Sequence, residues 1–187
     1  MREAELPKLA IRPYPVQHMR TSQLKNGMPV VLRPIRPEDE PLLVEFHRQL
    51  SENSVRQRYF EFMSLDERVA HERLMRLCFI DYDREWTSVA EIDSSSRKEL
   101  IGVGRLFRIP GTDYAHFTMA IVDQWHHKGL GTQILEHLLH IAQREGIRMI
   151  SSKILSENEG MLKICKRLGF EIVQDKDRTM SLARWKA

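Results

Sequence analysis

The segment Ile121-Val122-Asp123-Gln124-Trp125-His126-His127-Lys128-Gly129-Leu130-Gly131-Thr132 limits what this chain can fold into more than any other. A strand-like run over 114–122 feeds a short loop whose two glycines open an amphipathic helical stretch over 129–145, stopped by Gly146. The first four N–H groups of a helix lack intrahelical partners, and the macrodipole makes that end positive. Glycine at 129 and 131 lets backbone approach a diphosphate closely, and Lys128 adds a cation, so the loop reads as a pyrophosphate site. The same glycines also suit a plain tight connection between strand and helix. A dinucleotide-binding G-x-G-x-x-G is incomplete because position 134 is Ile, and no G-K-[ST] follows to make a Walker loop.

Elements before the loop predict an antiparallel meander. Strand-like runs occupy 86–92, 100–109 and 114–122, joined by the polar Asp93-Ser94-Ser95-Ser96-Arg97-Lys98 and by Pro110-Gly111-Thr112-Asp113. Upstream, 30–35 is a short β-branched run. Pro37 then opens a helix with Glu38, Asp39 and Glu40 at its positive end and Leu42, Leu43, Phe46 and Leu50 on its apolar face. A helical period recurs over 66–78 through Val69, Leu74 and Leu77. In the helix of 129–145, Ile134, Leu135, Leu138, Leu139 and Ala142 share one side, which puts His137 and His140 on the opposite, solvent side. A strand over 148–155, a helix over 158–168 and strands over 170–175 and 179–184 complete the chain. The expectation is one α+β domain over 29–187, a mixed, mostly antiparallel sheet flanked by helices. Residues 1–28, punctuated by Pro7, Pro13, Pro15 and the turn Asn26-Gly27, read as an arm or linker.

Composition excludes several classes. A chain of 187 residues with 42% hydrophobic and 29% charged residues is large enough to bury its own core. A net charge of +3 is too small to argue for nucleic acid and suits a polyanionic small molecule. The first ten residues carry charges rather than a signal peptide's apolar core, and no run approaches the ~20 apolar residues of a membrane helix. With Cys78 and Cys165 the sole cysteines, a reducing cytoplasmic setting is expected, with no membrane and no nucleic acid as partner. His126 and His127, and His137 and His140, lack the nearby carboxylate or thiol that would complete a metal set, so no metal is expected.

Two motifs at matching separation carry a family resemblance. Lys128-Gly129-Leu130-Gly131 resembles the acyl-CoA-binding loop of the GNAT N-acetyltransferases. Asn158-Glu159-Gly160-Met161 followed by Leu168-Gly169-Phe170 resembles that superfamily's second signature. The likeness covers about 30–184. Arg33-Pro34-Ile35-Arg36-Pro37-Glu38-Asp39-Glu40, Arg58-Tyr59-Phe60 and the upstream Leu9-Ala10-Ile11-Arg12-Pro13-Tyr14-Pro15 are similar, more narrowly, to the catalytic domain of bacterial protein-lysine acetyltransferases.

The resemblance implies a GNAT fold whose sheet splits between the 114–122 and 148–155 strands, with acetyl-CoA as cosubstrate in the opening. Ile121 and Val122 would bond the pantetheine arm through their backbone. Amides of His127, Lys128, Gly129, Leu130, Gly131 and Thr132 would hold the pyrophosphate, Asp123 would also contact the cofactor, and Asn158 would secure it near the second helix. The acceptor would be a protein lysine or a small amine, and a homodimer is compatible with such a domain. A crowded acidic pocket would favour a small polyamine, an open groove a protein.

Acyl transfer to an amine demands a base, because a lysine with pKa ~10.4 is neutral in only about one molecule in ~2,500 at pH 7. In the protein-lysine branch a glutamate on the strand before the loop resembles the usual base, and here the matching position is His116. Histidine can take that proton, though a plain edge-strand histidine is the alternative. Glu91 is the fallback base. Where many members carry an acid tyrosine seven residues after the asparagine, this chain has Cys165, which reads either as proton donor or as a buried structural thiol. These departures also admit a non-catalytic acyl-CoA-sensing module.

Overall fold

The structure, a computed structural model, describes residues 13–82, 84–94 and 97–187. Eight strands form a single sheet in the order β1-β2-β3-β4-β5-β6-β8-β7. In chain order these are β1 (Arg20–Gln23), β2 (Pro29–Pro34), β3 (Glu85–Ser94), β4 (Arg97–Arg108), β5 (Tyr114–Ile121), β6 (Met149–Leu155), β7 (Glu171–Gln174) and β8 (Met180–Lys186). The helices are α1 (Glu40–Arg48), α2 (Glu52–Tyr59), α3 (Leu65–Val69), α4 (His71–Cys78), α5 (Leu130–Arg144) and α6 (Glu159–Arg167). Every pairing is antiparallel except β5 with β6. The expected α+β sheet and its helices are therefore present. No described helix is long and apolar enough to cross a membrane.

Glycine decides how closely the central helix approaches the sheet. A Cβ on Gly104 would lie 2.5 Å from Ile134 Cγ2, and one on Gly102 would lie 2.6 Å from Ile134 Cδ1, so α5 seats directly on β4. Strand alternation then turns Val103 and Arg105 to the other face, where α1 packs. The single helical run expected over 66–78 is two helices, because Ala70 takes extended backbone at φ −53°, ψ 129°. Arg68 pins that break by donating to the His47 carbonyl at 2.6 Å and the Met63 carbonyl at 3.2 Å.

The segment before residue 29 contributes to the fold over its described part. Residues 1–12, including Leu9 to Arg12, lie outside the described residues. β1 pairs with β2 from Arg20↔Leu32 to Gln23↔Pro29, and Leu24 joins the core. This segment also runs beside α5, where Gln133 donates to the Gln23 carbonyl at 2.8 Å. It corrects the expectation for His137, which is 2% exposed rather than solvent-facing. The His137 Nε2–H donates to the His18 carbonyl at 2.6 Å, and burial holds the ring neutral with a pKa of about 4. His140 is exposed as expected.

A buried ion network ties β2, β3 and the start of α1. The Arg33 guanidinium, 2% exposed, holds Asp39 through two bonds of 2.7 Å and Glu91 through bonds of 2.9 and 2.6 Å. Asp39 also caps the Pro37–Asp39 turn by accepting the Arg36 amide at 2.7 Å, and Lys98 reaches Glu91 at 2.8 Å. Burial alone would raise the Glu91 pKa, but the bonds from Lys98 and Arg33 outweigh it and hold the carboxylate below its usual range.

Removing Arg33 takes the shared guanidinium from two buried carboxylates, leaving Glu91 only Lys98 and Asp39 only the Arg36 amide, so Arg33→Ala is predicted to cost about 3–5 kcal/mol in a urea unfolding curve. Because Glu91 has a lowered folded-state pKa, its contribution is present above the unfolded value of ~4.3 and is lost as pH falls through the folded value. Wild type should therefore lose stability on acidification below about pH 4 more steeply than Glu91→Gln; parallel slopes would contradict this.

Candidate functional site

The sheet opens where its one parallel pair ends. β5 and β6 pair only through Tyr114↔Met149, Ala115↔Ile150 and His116↔Ser151, while β6 stays paired with β8 along its whole length. Beyond Ser151 the two strands diverge and leave a groove of about 760 Å³, walled by Phe117 to Ile121 on one side and Ser152 to Ile154 on the other. On the far edge of β5 the ladder with β4 is continuous, and the Val122 amide donates to the Ile101 carbonyl at 3.0 Å. Antiparallel alternation then turns the backbone amides of Met119 and Ile121 toward the groove. The Ile121 carbonyl is already taken, accepting the His126 Nε2–H at 3.0 Å.

The glycine loop closes one end of the groove. His127 and Gly129 both adopt left-handed backbone, at φ 60° and 85°, before α5 begins. The strain at His127, where a side chain is present, is held in place by the turn Asp123–Trp125 before it and the helix after it. Gly129, Gly131 and Thr132 line the groove, which places the start of α5, whose first amides lack intrahelical partners, at its edge. Gly131 has a second duty: a Cβ there would lie 2.8 Å from Ile164 Cδ1, so the glycine lets α6 approach the start of α5.

Individual residues divide sharply. His127, Gly129, Gly131, Thr132, Ile121, Asp123 and Asn158 all border the groove. Val122 and Leu130 are 2% and 1% exposed and belong to the core. Lys128, expected at the phosphate, is not itself in the groove lining; its ammonium lies 4.4 Å from the centre of the ring of Trp125, which does line it. Lys25 lines the groove; its amide donates to the Lys128 carbonyl at 3.0 Å and its side chain packs over Gly129. Asn158 caps α6 by accepting the Met161 amide at 3.1 Å. Asp123 accepts from the Ser51 amide at 3.0 Å, the Ser51 hydroxyl at 2.6 Å and the Ser54 hydroxyl at 2.9 Å, clamping the N-terminus of α2 to the loop. Burial would raise its pKa, but these bonds hold it below the ordinary carboxylate value.

None of the three proton-transfer candidates lines the groove, and His116 is the one on its wall strand. It is exposed on β5, one residue before the groove wall begins, on the same face as Thr118 and Ala120, and its Nδ1 lies 2.8 Å from the Ser151 hydroxyl. Glu91 lies on β3 inside the Arg33 network, two strands away from β5, and does not line the groove; a carboxylate bonded by two cations is a poor proton acceptor. Cys165 is fully buried in the core, and burial pushes its thiol up to about 12, so it belongs to the packing of α6 and not to the groove. Among the described residues no cluster of three or more His, Cys, Asp or Glu could hold a metal.

A mixed sheet that opens beside a glycine loop and a helix N-terminus is built for an extended, phosphorylated ligand. Residues 30–171 match the family model of the acetyltransferase (GNAT) domain, and the chain belongs to that family. It is 27% identical over 154 residues to an acetyltransferase of Pseudomonas aeruginosa, covering 82% of this chain and 81% of that protein. Among solved structures, the GNAT domain of S. lividans PAT superposes with a TM-score of 0.84 at 23% identity, over 94% of this chain and 100% of that one. Mycobacterium smegmatis RimJ, in complex with CoA-disulfide, follows at 0.70 and 15% identity, over 90% and 87% of the two chains. The PaiA N-acetyltransferase of Thermoplasma acidophilum, in complex with coenzyme A, gives 0.63 at 18%, over 84% and 99%. These structural likenesses establish the fold.

Asp123→Ala removes all three bonds of the clamp. It is predicted to destabilise the protein by about 1–3 kcal/mol and to raise amide exchange in α2 before the rest of the sheet. Unchanged exchange in α2 would show that the clamp is not what holds it.

Proposed function

We propose that this chain is an acetyl-CoA-dependent N-acetyltransferase acting on a protein lysine by direct transfer within the β5–β6 groove. The observation that carries this reading is the unpaired edge of β5 running into the strained loop at the start of α5. Gly129, Gly131, Thr132 and Lys25 would hold the diphosphate, and the open amides of Met119 and Ile121 would bond the pantetheine arm as an added strand bonds a sheet edge. When bound, acetyl-CoA supplies an acetyl group activated as a thioester.

His116 is the proposed base. In the tautomer that donates Nδ1–H to the Ser151 hydroxyl, Nε2 keeps a free lone pair for the acceptor ammonium. Cys165 is unavailable, so the departing thiolate takes its proton from water entering the open groove. A macromolecular acceptor is supported by Phe60, which lines the groove at 45% exposure, and by Phe62 in the same turn, which is 78% exposed. Apolar side chains held open to solvent beside a site mark a surface for protein.

Thiol release from acetyl-CoA with lysine-containing protein acceptors tests this directly. His116→Ala should lower kcat by about 10²–10⁴-fold while leaving acetyl-CoA affinity unchanged. Gly131→Val, which drives a side chain into Ile164 and the helix start, should instead weaken acetyl-CoA binding by at least about tenfold. Full activity in His116→Ala would remove that residue from the mechanism. Tight cofactor binding with no release to any acceptor would make the chain a binding module.

A further inference from the structure

A second cavity lies beside the groove, on the face of the sheet covered by α1, α2 and α4. It has a volume of about 380 Å³ and shares Arg58 and Ala120 with the groove. Four guanidinium groups line it, from Arg58, Arg73, Arg76 and Arg105, against one carboxylate, Glu72. Arg105 is bonded to Glu85 from the neighbouring strand. Among the described residues no carboxylate pairs with Arg58, Arg73 or Arg76. Arg58 and Arg73 instead approach the ring of Tyr59, at 5.0 and 5.2 Å from its centre.

Like charges gathered without counterions are an electrostatic cost unless something of opposite sign occupies the space between them. Burial, and then the neighbouring Arg105 and Arg73, push Arg58 down to about 10, which registers that cost. The Nε of Arg73 is buried without a hydrogen-bond partner. His47 lines the same cavity, is only 4% exposed, and its Nδ1 is likewise buried and unpartnered. Burial, reinforced by Arg68, Arg73 and Arg58, lowers its pKa to about 4, so it is a neutral polar group beside the arginines. An unsatisfied guanidinium N–H among unpaired arginines is what an anionic group of a ligand would answer.

We infer that the acceptor carries an anionic group, a carboxylate for preference, which docks between Arg58 and Arg73 while the amine enters the β5–β6 groove. The inference rests on the acetyl-transfer reading above and narrows its acceptor to lysines flanked by acidic side chains. A free amine bearing its own carboxylate presents the same chemistry to the same arginines. A polyamine does not, since it would bring more positive charge to a cavity that already has an excess.

The test is initial-rate thiol release with acetyl-CoA and paired acceptors. One pair is a lysine peptide with glutamate or glutamine flanking the lysine; the other is a small amine bearing a carboxylate or the corresponding amide. Wild type should favour the acid of at least one pair by about tenfold or more in kcat/KM, and 0.5 M salt should shrink the ratio. The pair that shows the contrast identifies the source of the carboxylate. Arg73→Gln should bring the ratio toward one, mainly through KM of the acidic acceptor, while keeping turnover of the neutral one. Arg73→Lys, which retains the charge, should keep part of the preference. Equal rates for acid and amide in both pairs, or a preference for polyamines, would overturn the anion site while leaving the transferase intact. Acetyl-CoA binding without release to any acceptor would overturn the transfer reading and this inference with it.

Discussion

Three residue pairs of parallel strand, and no more, join the two halves of this sheet. A sheet edge exposed in the middle of a domain leaves backbone donors and acceptors without partners, which folded chains avoid. Here β6 keeps its antiparallel neighbour β8 throughout, so it is held away from β5 by a completed ladder. The opening is thus fixed by pairing on both outer sides. Its unsatisfied inner edge is the chemical feature that an extended, amide-bearing ligand answers.

Several contacts hold the surroundings of that opening in register. Asp123 ties α2 to the loop, Lys25 ties the segment before β2 to Lys128, and Asn158 starts α6 on the opposite wall. Gly131 borders the groove and the packing of α6 at once, since a Cβ there would press on the Ile164 methyl at 2.8 Å. Gly102 and Gly104 bring α5 down onto β4, and the alternation of that strand then sends Arg105 to the other face, into the arginine cavity. The groove between β5 and β6 and the arginine cavity over β4 and β5 therefore meet at Ala120 on their common strand and at Arg58 above it.

Much of this was legible in sequence wherever a period of two or 3.6 runs unbroken. The meander, α5, α6 and the glycine loop follow from patterns local to themselves. What escaped depends on contacts between distant segments. Lys128 looks like the phosphate cation because it adjoins Gly129, yet its ammonium rests on Trp125 and Lys25 lines the groove instead. His137 lies off the main apolar stripe of α5, and nothing local announces that residues around His18 will cover it. Glu91 was credible by residue type and Cys165 by its position seven residues after Asn158; burial and existing partners assign them to structure. α2 has few apolar residues, though the Ser51 cap was available as a signal, and Arg73 and Arg76, one helical turn apart, were the available hint of a cationic cavity.

The claim on which the rest depends is that the free edge of β5 and the first turn of α5 together bind the cosubstrate. Amide hydrogen exchange with and without coenzyme A measures this at the residues concerned. The account predicts that coenzyme A slows exchange at Met119, at Ile121 and across 129–132, with little change on β1 to β3. Protection confined to other elements, or none at saturating coenzyme A, would contradict it.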